Sequence, residues 1–325
     1  MTITRLHSKD LLGMRQLTEE EIYLILRTAE QMKSILSANT KKTAHLQGKS
    51  IINLFLENST RTRMSFELAE KYLGAVAANI SGSGSSVRKG ENLYDTARTL
   101  QQMAVDIIVM RHPQSGAPHF LSERLSAGIV NGGDGMNEHP TQALLDMLTM
   151  AEFKGGIDNL KNLDVAIIGD AMHSRVMRSN LWGLHKLGAK VRVFGPPTMM
   201  PLHLDETPAI VCKDIREAVE DVDVVMGLRV QLERQNSMLF PSVSEYAHFF
   251  GINQNVLDLA KPDAIVMHPG PCNRGVEMES VIHEHERSVI HEQVTNGVAV
   301  RMAVLYLLTA KRNFDRQQTL EGDKS

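Results

Sequence analysis

Cysteine is scarce in this sequence. Cys212 and Cys272 are the two among 325 residues; they lie far apart and without metal-ligand neighbours, which argues against both a disulfide framework and a zinc site and fits a reducing cytoplasm. No run of 18 uncharged apolar residues occurs, and the start shows no basic segment followed by an apolar one. Neither a membrane span nor an export signal is therefore expected. An excess of one charge is missing too: 35 Lys plus Arg against 38 Asp plus Glu leave a formal charge of -3. That balance excludes a global nucleic-acid or acidic-membrane surface, so any cationic site must be local. The length exceeds what one hydrophobic core usually holds, so two domains are expected.

The chain is organised around Asn53 to Gly74. The apolar run Ile51 to Leu56 reads as a buried strand, and Met64, Leu68, Ala69, Tyr72 and Leu73 then recur at helical spacing. Between them Ser59, Thr60, Arg61 and Thr62 form a strand-to-helix turn. Free backbone N–H groups, hydroxyls and a guanidinium at the positive end of a helix suit an oxyanion such as phosphate. Ordinary helix capping by Ser and Thr accounts for the hydroxyls equally well. Arg61 and Arg63 shift the balance, because positive charge in a first turn opposes the helix dipole by ~0.3–1 kcal/mol and calls for a compensating anion. Gly74 fits as the helix stop.

Upstream, Thr18 and Glu21 form a capping box ahead of an amphipathic helix from Ile22 to Leu36. Gly48-Lys49-Ser50 lacks the earlier glycine of a nucleotide P-loop and precedes its strand, so that reading is rejected. Downstream, Ala75 to Ile80 reads as a strand, and Ser81 to Ser86 has the composition of a linker that runs on into the basic Arg88 and Lys89. Linker and mobile cationic loop both fit. A helix from about Asn92 to Met103 and a strand from Val105 to Met110 follow, with Arg111 at the strand's carboxyl end, where open α/β sheets bind ligands. Gly128 to Asn131 reads as a strand and Gly132 to Gly135 as a turn. Pro140 at a first helical position puts His139 at the N-cap and Gln142 at N3. Histidine is a poor cap, so its placement suggests a task for the imidazole beyond the helix end.

Polar Lys154 to Asn162 with Gly155-Gly156 marks a candidate boundary, after which strand–helix alternation restarts. The expected class is α/β, with two doubly wound parallel-sheet domains and the C-terminal helix packing back on the first. The turn after Ile168 has one glycine where a dinucleotide fingerprint needs three, so NAD is disfavoured. Arg175 and Arg229 lie near the carboxyl ends of different strands, which suits bidentate pairing with a small dicarboxylate; two solvated surface arginines are the other reading. His268-Pro-Gly-Pro271 forms an irregular loop at the same rim. His283 to Glu292 lacks a His-Glu-x-x-His spacing and reads as a solvated helix face. The last helix presents Val294, Val298, Met302, Leu305 and Leu308 as its packed face and gives way to a polar tail from Arg312.

Together Ser59-Thr-Arg-Thr-Arg63 with Ser65-Phe-Glu67, Lys89-Gly-Glu91, Met110-Arg-His-Pro113, His139-Pro-Thr-Gln142, Arg229-Val-Gln231 and His268-Pro-Gly-Pro271 resemble the carbamoyltransferase family over nearly the whole chain. The first and fourth motifs are shared with its ornithine-using members. Arg229-Val-Gln231 and the His-Pro-Gly-Pro loop mark the aspartate-using branch. The resemblance implies that Ser59, Thr60, Arg61, Thr62 and Arg111 hold the phosphate of carbamoyl phosphate, and that His139 and Gln142 address its carbamoyl group. It implies that Arg175, Arg229 and Gln231 hold the carboxylates of L-aspartate, with the backbone of Pro269 and Gly270 meeting the substrates. Gly270 stands where some members have Leu, so the role implied there is a backbone one. Ser85 and Lys89 would come from a neighbouring subunit of a cytoplasmic homotrimer. Arg61, Thr62, Lys89, Arg111, His139 and Gln142 form the implied catalytic set. Residues 1–150 with the C-terminal helix 290–312 would bind carbamoyl phosphate, and residues 151–289 aspartate. No cofactor and no metal are implied, and the product, N-carbamoyl-L-aspartate, belongs to an early step of de novo pyrimidine biosynthesis.

The residue types fit that chemistry independently. Amine attack on a carbamoyl carbon builds charge on the carbonyl oxygen, for which Thr62, Arg111 and His139 are donors. No Ser-His-Asp or Cys-His nucleophile is needed when both reactants are held in near-attack geometry. Two other readings remain: transfer to ornithine or a related amine, and a catalytically silent phosphate-binding assembly subunit. Association with a regulatory chain or another pathway enzyme is compatible with the sequence.

Overall fold

The computed structural model describes residues 4–82, 91–230 and 242–322. Two compact units are present, Met1–Leu144 with Asn296–Ser325 and Leu145–Thr295. In the first, α1 (Glu19–Leu36) starts at the expected capping box, with Glu21 N donating to Thr18 Oγ1 at 3.2 Å and Thr18 N to Glu21 Oε2 at 2.9 Å. There follow β1 (Ser50–Phe55), α2 (Thr60–Tyr72), β2 (Val76–Ser81), α3 (Leu93–Gln102), β3 (Ile107–His112), α4 (Ala117–Ser122), β4 (Gly128–Asp134) and α5 (Pro140–Phe153), which begins in this unit.

The four strands form one parallel sheet in the order β2-β1-β3-β4. Ile51 to Phe55 is continuously buried, as expected of a parallel strand covered on both faces. From β1 the chain steps to β2 on one side and returns to β3 on the other. The carboxyl ends of β1 and β3 therefore flank a topological switch point, the crevice such sheets use for ligands. Leu54, Ile108, Met110, Leu121 and Ile129 pack a core beside the sheet.

Two boundaries depart most from the sequence reading. β4 runs through Gly132 and Gly133 to Asp134, because pairing with β3 continues to His112↔Asp134 past an irregularity. The last helix, α11 (Ile290–Gly322), continues ten residues past Arg312, where a polar tail was expected; a Lys311–Asp315 pair at i,i+4, 2.6 Å, bridges adjacent turns there. Its packed face also starts later than expected: Val294 is 60 % exposed, whereas Ala299, Met302, Leu305 and Leu308 are buried. This helix packs back on the first unit. Arg301 Nη1 donates to Ser65 Oγ at 2.9 Å, Arg312 donates to the Ser126 carbonyl, and the Arg5 guanidinium stacks 3.7 Å from the Phe314 ring centre.

The second unit holds β5 (Asp164–Ile168), α6 (Arg175–Lys186), β6 (Lys190–Phe194), β7 (Ile210–Val211), α7 (Ile215–Val219), β8 (Val224–Gly227), α8 (Val243–Phe250), α9 (Gln254–Leu257), β9 (Ile265–Met267) and α10 (Ser280–His283). Its parallel sheet has the order β7-β6-β5-β8-β9, so β5 and β8 flank a second switch point. The segment from His283 to Glu292 is not one helix face: α10 ends at His283 and α11 begins at Ile290. No helix among the described residues is long and apolar enough to cross a membrane.

Candidate active site

At the first switch point Ser59 occupies the N-cap of α2 in an extended conformation (φ -162°, ψ 101°), yet its hydroxyl makes no capping bond, and no acidic residue lies in the first turn. Capping therefore does not use the Ser59 hydroxyl, and the helix start stays electropositive. Arg111, in β3 opposite Phe55, brings its guanidinium to the same place: Nη1 lies 3.5 Å from Thr62 Oγ1 and 3.3 Å from the Gly132 carbonyl. Nη2 donates to Glu57 Oε1 at 2.8 Å. The turn and the strand end, about 50 residues apart in sequence, thus form one cationic cradle. Glu57 escaped the sequence reading; the available signal was an acid two residues before an oxyanion turn, unfavourable there unless a cation holds it.

His139 leaves a rigid approach. Asp134, fully buried, accepts from Gly116 N at 2.7 Å, Asn131 Nδ2 at 2.8 Å, Asn137 Nδ2 at 3.0 Å and Glu138 N at 3.1 Å. Glu138 accepts from Met14 N at 2.7 Å and from Arg15 N at 3.4 Å. With residues 131–138 so fixed, the His139 carbonyl takes Gln142 N at 2.9 Å and Ala143 N at 3.3 Å, and Pro140 opens α5. His139 and Gln142 are both buried. Asp134 and Asn131 are positioning residues hidden in sequence because Gly132 to Gly135 resembles an ordinary turn.

In the second unit, Arg175 is the first residue of α6, behind a Ser174 cap that accepts from Met177 N at 3.1 Å. The turn before it is folded by Asp170, which is fully buried and lies 2.9 Å from His173 Nδ1. Arg229 follows β8. The carbonyl of Val230, beside it, accepts from Asn273 Nδ2 at 3.1 Å, fastening the 268–276 loop to the strand end that bears Arg229. His268 N donates to Gln293 Oε1 at 3.0 Å, and Gln293 Nε2 donates to the buried Asp146 at 2.8 Å. Gly270 adopts φ +64°, which a residue without Cβ takes at little cost, and its N–H donates to His268 Nδ1 at 2.9 Å. The Gly270 N–H is thus engaged within its own loop. Cys272, read from sequence as lacking metal-ligand neighbours, stands beside His268 and Glu277. Ser85, Lys89 and Gln231 lie outside the described residues.

A cationic cradle at one switch point and an arginine-bearing rim at another fit a two-substrate transferase. Residues 9–152 match the model of the aspartate/ornithine carbamoyltransferase carbamoyl-P binding domain, and residues 161–308 that of the Asp/Orn binding domain. The chain belongs to the aspartate/ornithine carbamoyltransferase family. It is 62 % identical to the aspartate carbamoyltransferase catalytic subunit of Ruminiclostridium cellulolyticum, over 94 % of this chain and 97 % of that one. The Acetivibrio thermocellus catalytic subunit is also 62 % identical over the same shares. Among solved structures, aspartate transcarbamoylase from Trypanosoma cruzi in complex with carbamoyl phosphate and aspartate is 31 % identical with a TM-score of 0.83, over 92 % of this chain and 96 % of that one. Ornithine carbamoyltransferase from Thermus thermophilus is 27 % identical with a TM-score of 0.82, over 93 % and 99 %.

Proposed function

We propose that the chain transfers the carbamoyl group of carbamoyl phosphate to the amine of L-aspartate, giving N-carbamoyl-L-aspartate and phosphate. The observation that carries this reading is the meeting of Arg111 with Thr62 beside the α2 start, whose Ser59 hydroxyl is uncommitted to capping. Ser59, Thr60, Arg61, Thr62 and Arg111 take the phosphate. As the amine attacks, charge grows on the carbamoyl oxygen, and Thr62, Arg111 and His139 donate to it while Gln142 orients the carbamoyl group. As the carbon–oxygen bond to phosphate breaks, the attacking nitrogen gives up a proton and the phosphate takes one up, so that it departs as the HPO4²⁻ dianion into the cradle that held it.

Aspartate as acceptor is supported by Arg175 and Arg229 at the second switch point, whose guanidinium forks match two carboxylates, and by the 62 % identity to catalytic subunits named for it. Gln231 and the Pro269–Gly270 backbone complete that side. Ser85 and Lys89 act from a neighbouring copy in a homotrimer. Exposed Met64, Leu68 and Val76 on α2 and the edge strand β2 support a surface between copies. A cytoplasmic place at an early step of de novo pyrimidine biosynthesis fits the free Cys212 and Cys272. Turnover of carbamoyl phosphate is to be measured side by side with aspartate and ornithine. Turnover with aspartate alone is expected; preference for ornithine would reassign the acceptor, and no turnover with either would indicate a silent assembly subunit.

A further inference from the structure

The loop after β9 carries a cluster that carbamoyl transfer does not use. His268 and Glu277 are 1 % and 2 % exposed, Cys272 is half-buried, and one ligand atom from each lies within 4.8 Å of the other two. His268 Nε2 is 3.4 Å from Glu277 Oε1, and that oxygen accepts from Asn273 N at 2.6 Å. The other carboxylate oxygen, Oε2, is buried without a hydrogen-bond partner. Such an orphan is costly, because its lost hydration is not replaced. Burial, reinforced by the Glu277 charge, pushes the Cys272 thiol up to about 12.

One imidazole, one sulfur and one carboxylate match cations that bind thiolates and tetrahedral mixed ligands; calcium and magnesium prefer oxygen sets. A second grouping, His283, Glu284 and His291, is more exposed, and its carboxylate already holds a cation, with Arg274 Nη2 2.6 Å from Glu284 Oε1. It serves as an internal comparison.

We propose that His268, Cys272 and Glu277 form a binding site for a thiophilic divalent cation of the zinc class, and that filling it unfastens Gly270. Because Nδ1 of His268 accepts from the Gly270 N–H, the neutral ring carries its proton on Nε2. A cation on Nε2 needs that lone pair, so the ring proton moves to Nδ1, which can no longer accept from Gly270. The thiol proton goes to solvent, and water completes a tetrahedral shell whose two anionic ligands neutralise the ion. Resting on the reading that Pro269 and Gly270 meet substrate, the same event inhibits carbamoyl transfer.

The test is titration of the reduced, full-length protein with Cd²⁺ and Co²⁺, following thiolate-to-metal charge-transfer absorption. One equivalent per chain is expected, with the band lost in Cys272→Ser and kept in Cys212→Ser and His291→Ala. No band, a band that survives Cys272→Ser, or one lost in His291→Ala overturns the site. Amide hydrogen exchange then reads the coupling: Gly270 should exchange faster in the loaded protein, and unchanged exchange overturns the release. Turnover should fall as the site fills and resist Cd²⁺ in Cys272→Ser; full turnover at saturation overturns the inhibitory role. Absorption and exchange need no substrate, so they stand or fall apart from the reaction assignment.

Discussion

Glu57 holds Arg111 by a 2.8 Å ion pair in which both side chains are largely buried, 15 % and 11 % exposed. The pair points the guanidinium at the α2 start while also competing with phosphate for it. Glu57→Gln should therefore tighten inorganic phosphate binding by ~5-fold or more, since even an exposed pair is worth up to about 1 kcal/mol, and lower kcat because Arg111 loses its fixed direction. Calorimetry with phosphate and steady-state kinetics check both signs; weaker phosphate binding in a folded variant would show that Glu57 assists the anion site instead.

His139 should act through hydrogen-bond donation to the developing oxyanion. His139→Ala is expected to lower turnover by ~10² to 10³, the usual cost of one such donor, with carbamoyl phosphate affinity changed much less. His139→Asn keeps a donor that does not titrate and should retain more turnover than Ala. Equal damage from both, with circular dichroism showing intact folds, removes the donor role.

Arg229→Ala should raise the KM for aspartate by two orders of magnitude or so, since truncating one partner of a hydrogen-bonded charge pair costs ~2–5 kcal/mol. Carbamoyl phosphate binding, measured separately, should persist. Equal loss of both affinities would mean that Arg229 supports the fold of the β8 end.

Lys89 should work across a boundary between copies. Inactive Lys89→Ala protein mixed with inactive Arg61→Ala protein, dissociated and reassembled, is expected to regain part of the activity through hybrid sites. Reassembled mixtures that stay inactive would place Lys89 in its own chain's site or outside any.

Glu70 makes stability depend on pH. Burial pushes its carboxyl from 4.5 up to about 8; the Asn53 Nδ2 hydrogen bond at 2.9 Å opposes that rise and nearby Glu67 adds to it. The folded state thus binds a proton that the unfolded chain releases near its ordinary value. The contribution is fully present below 4.5 and is lost as pH rises through about 8. Urea midpoints should fall as pH rises from 4.5 to about 8, and Glu70→Gln should flatten that decline. An unchanged slope in the variant would assign the pH dependence elsewhere.

Much of this was legible because it is local. The β1–turn–α2 segment, the capping box of α1 and the Pro140 start of α5 each depend on residues a few positions apart. What escaped depends on distant partners: Glu57 meets Arg111 54 positions on, and Cys272 gains its neighbours only when the 268–278 loop folds on itself. Gly132 and Gly133 carry turn-like composition, yet β3 draws them into a strand. The end of α11 was missed because polar composition matches a tail as well as a solvated helix. The short β7 and α8 carry too little periodicity to register.

The two reversals of strand order lie in separate units, one between β1 and β3 and one between β5 and β8. Each of those crevices is built from its own loops, so with the donor assigned to the first and the acceptor to the second, as proposed above, the two roles are modular. A new acceptor amine can arise by rewriting the loops after β5, β8 and β9, while the segments around Ser59, Arg111 and His139 stay as they are.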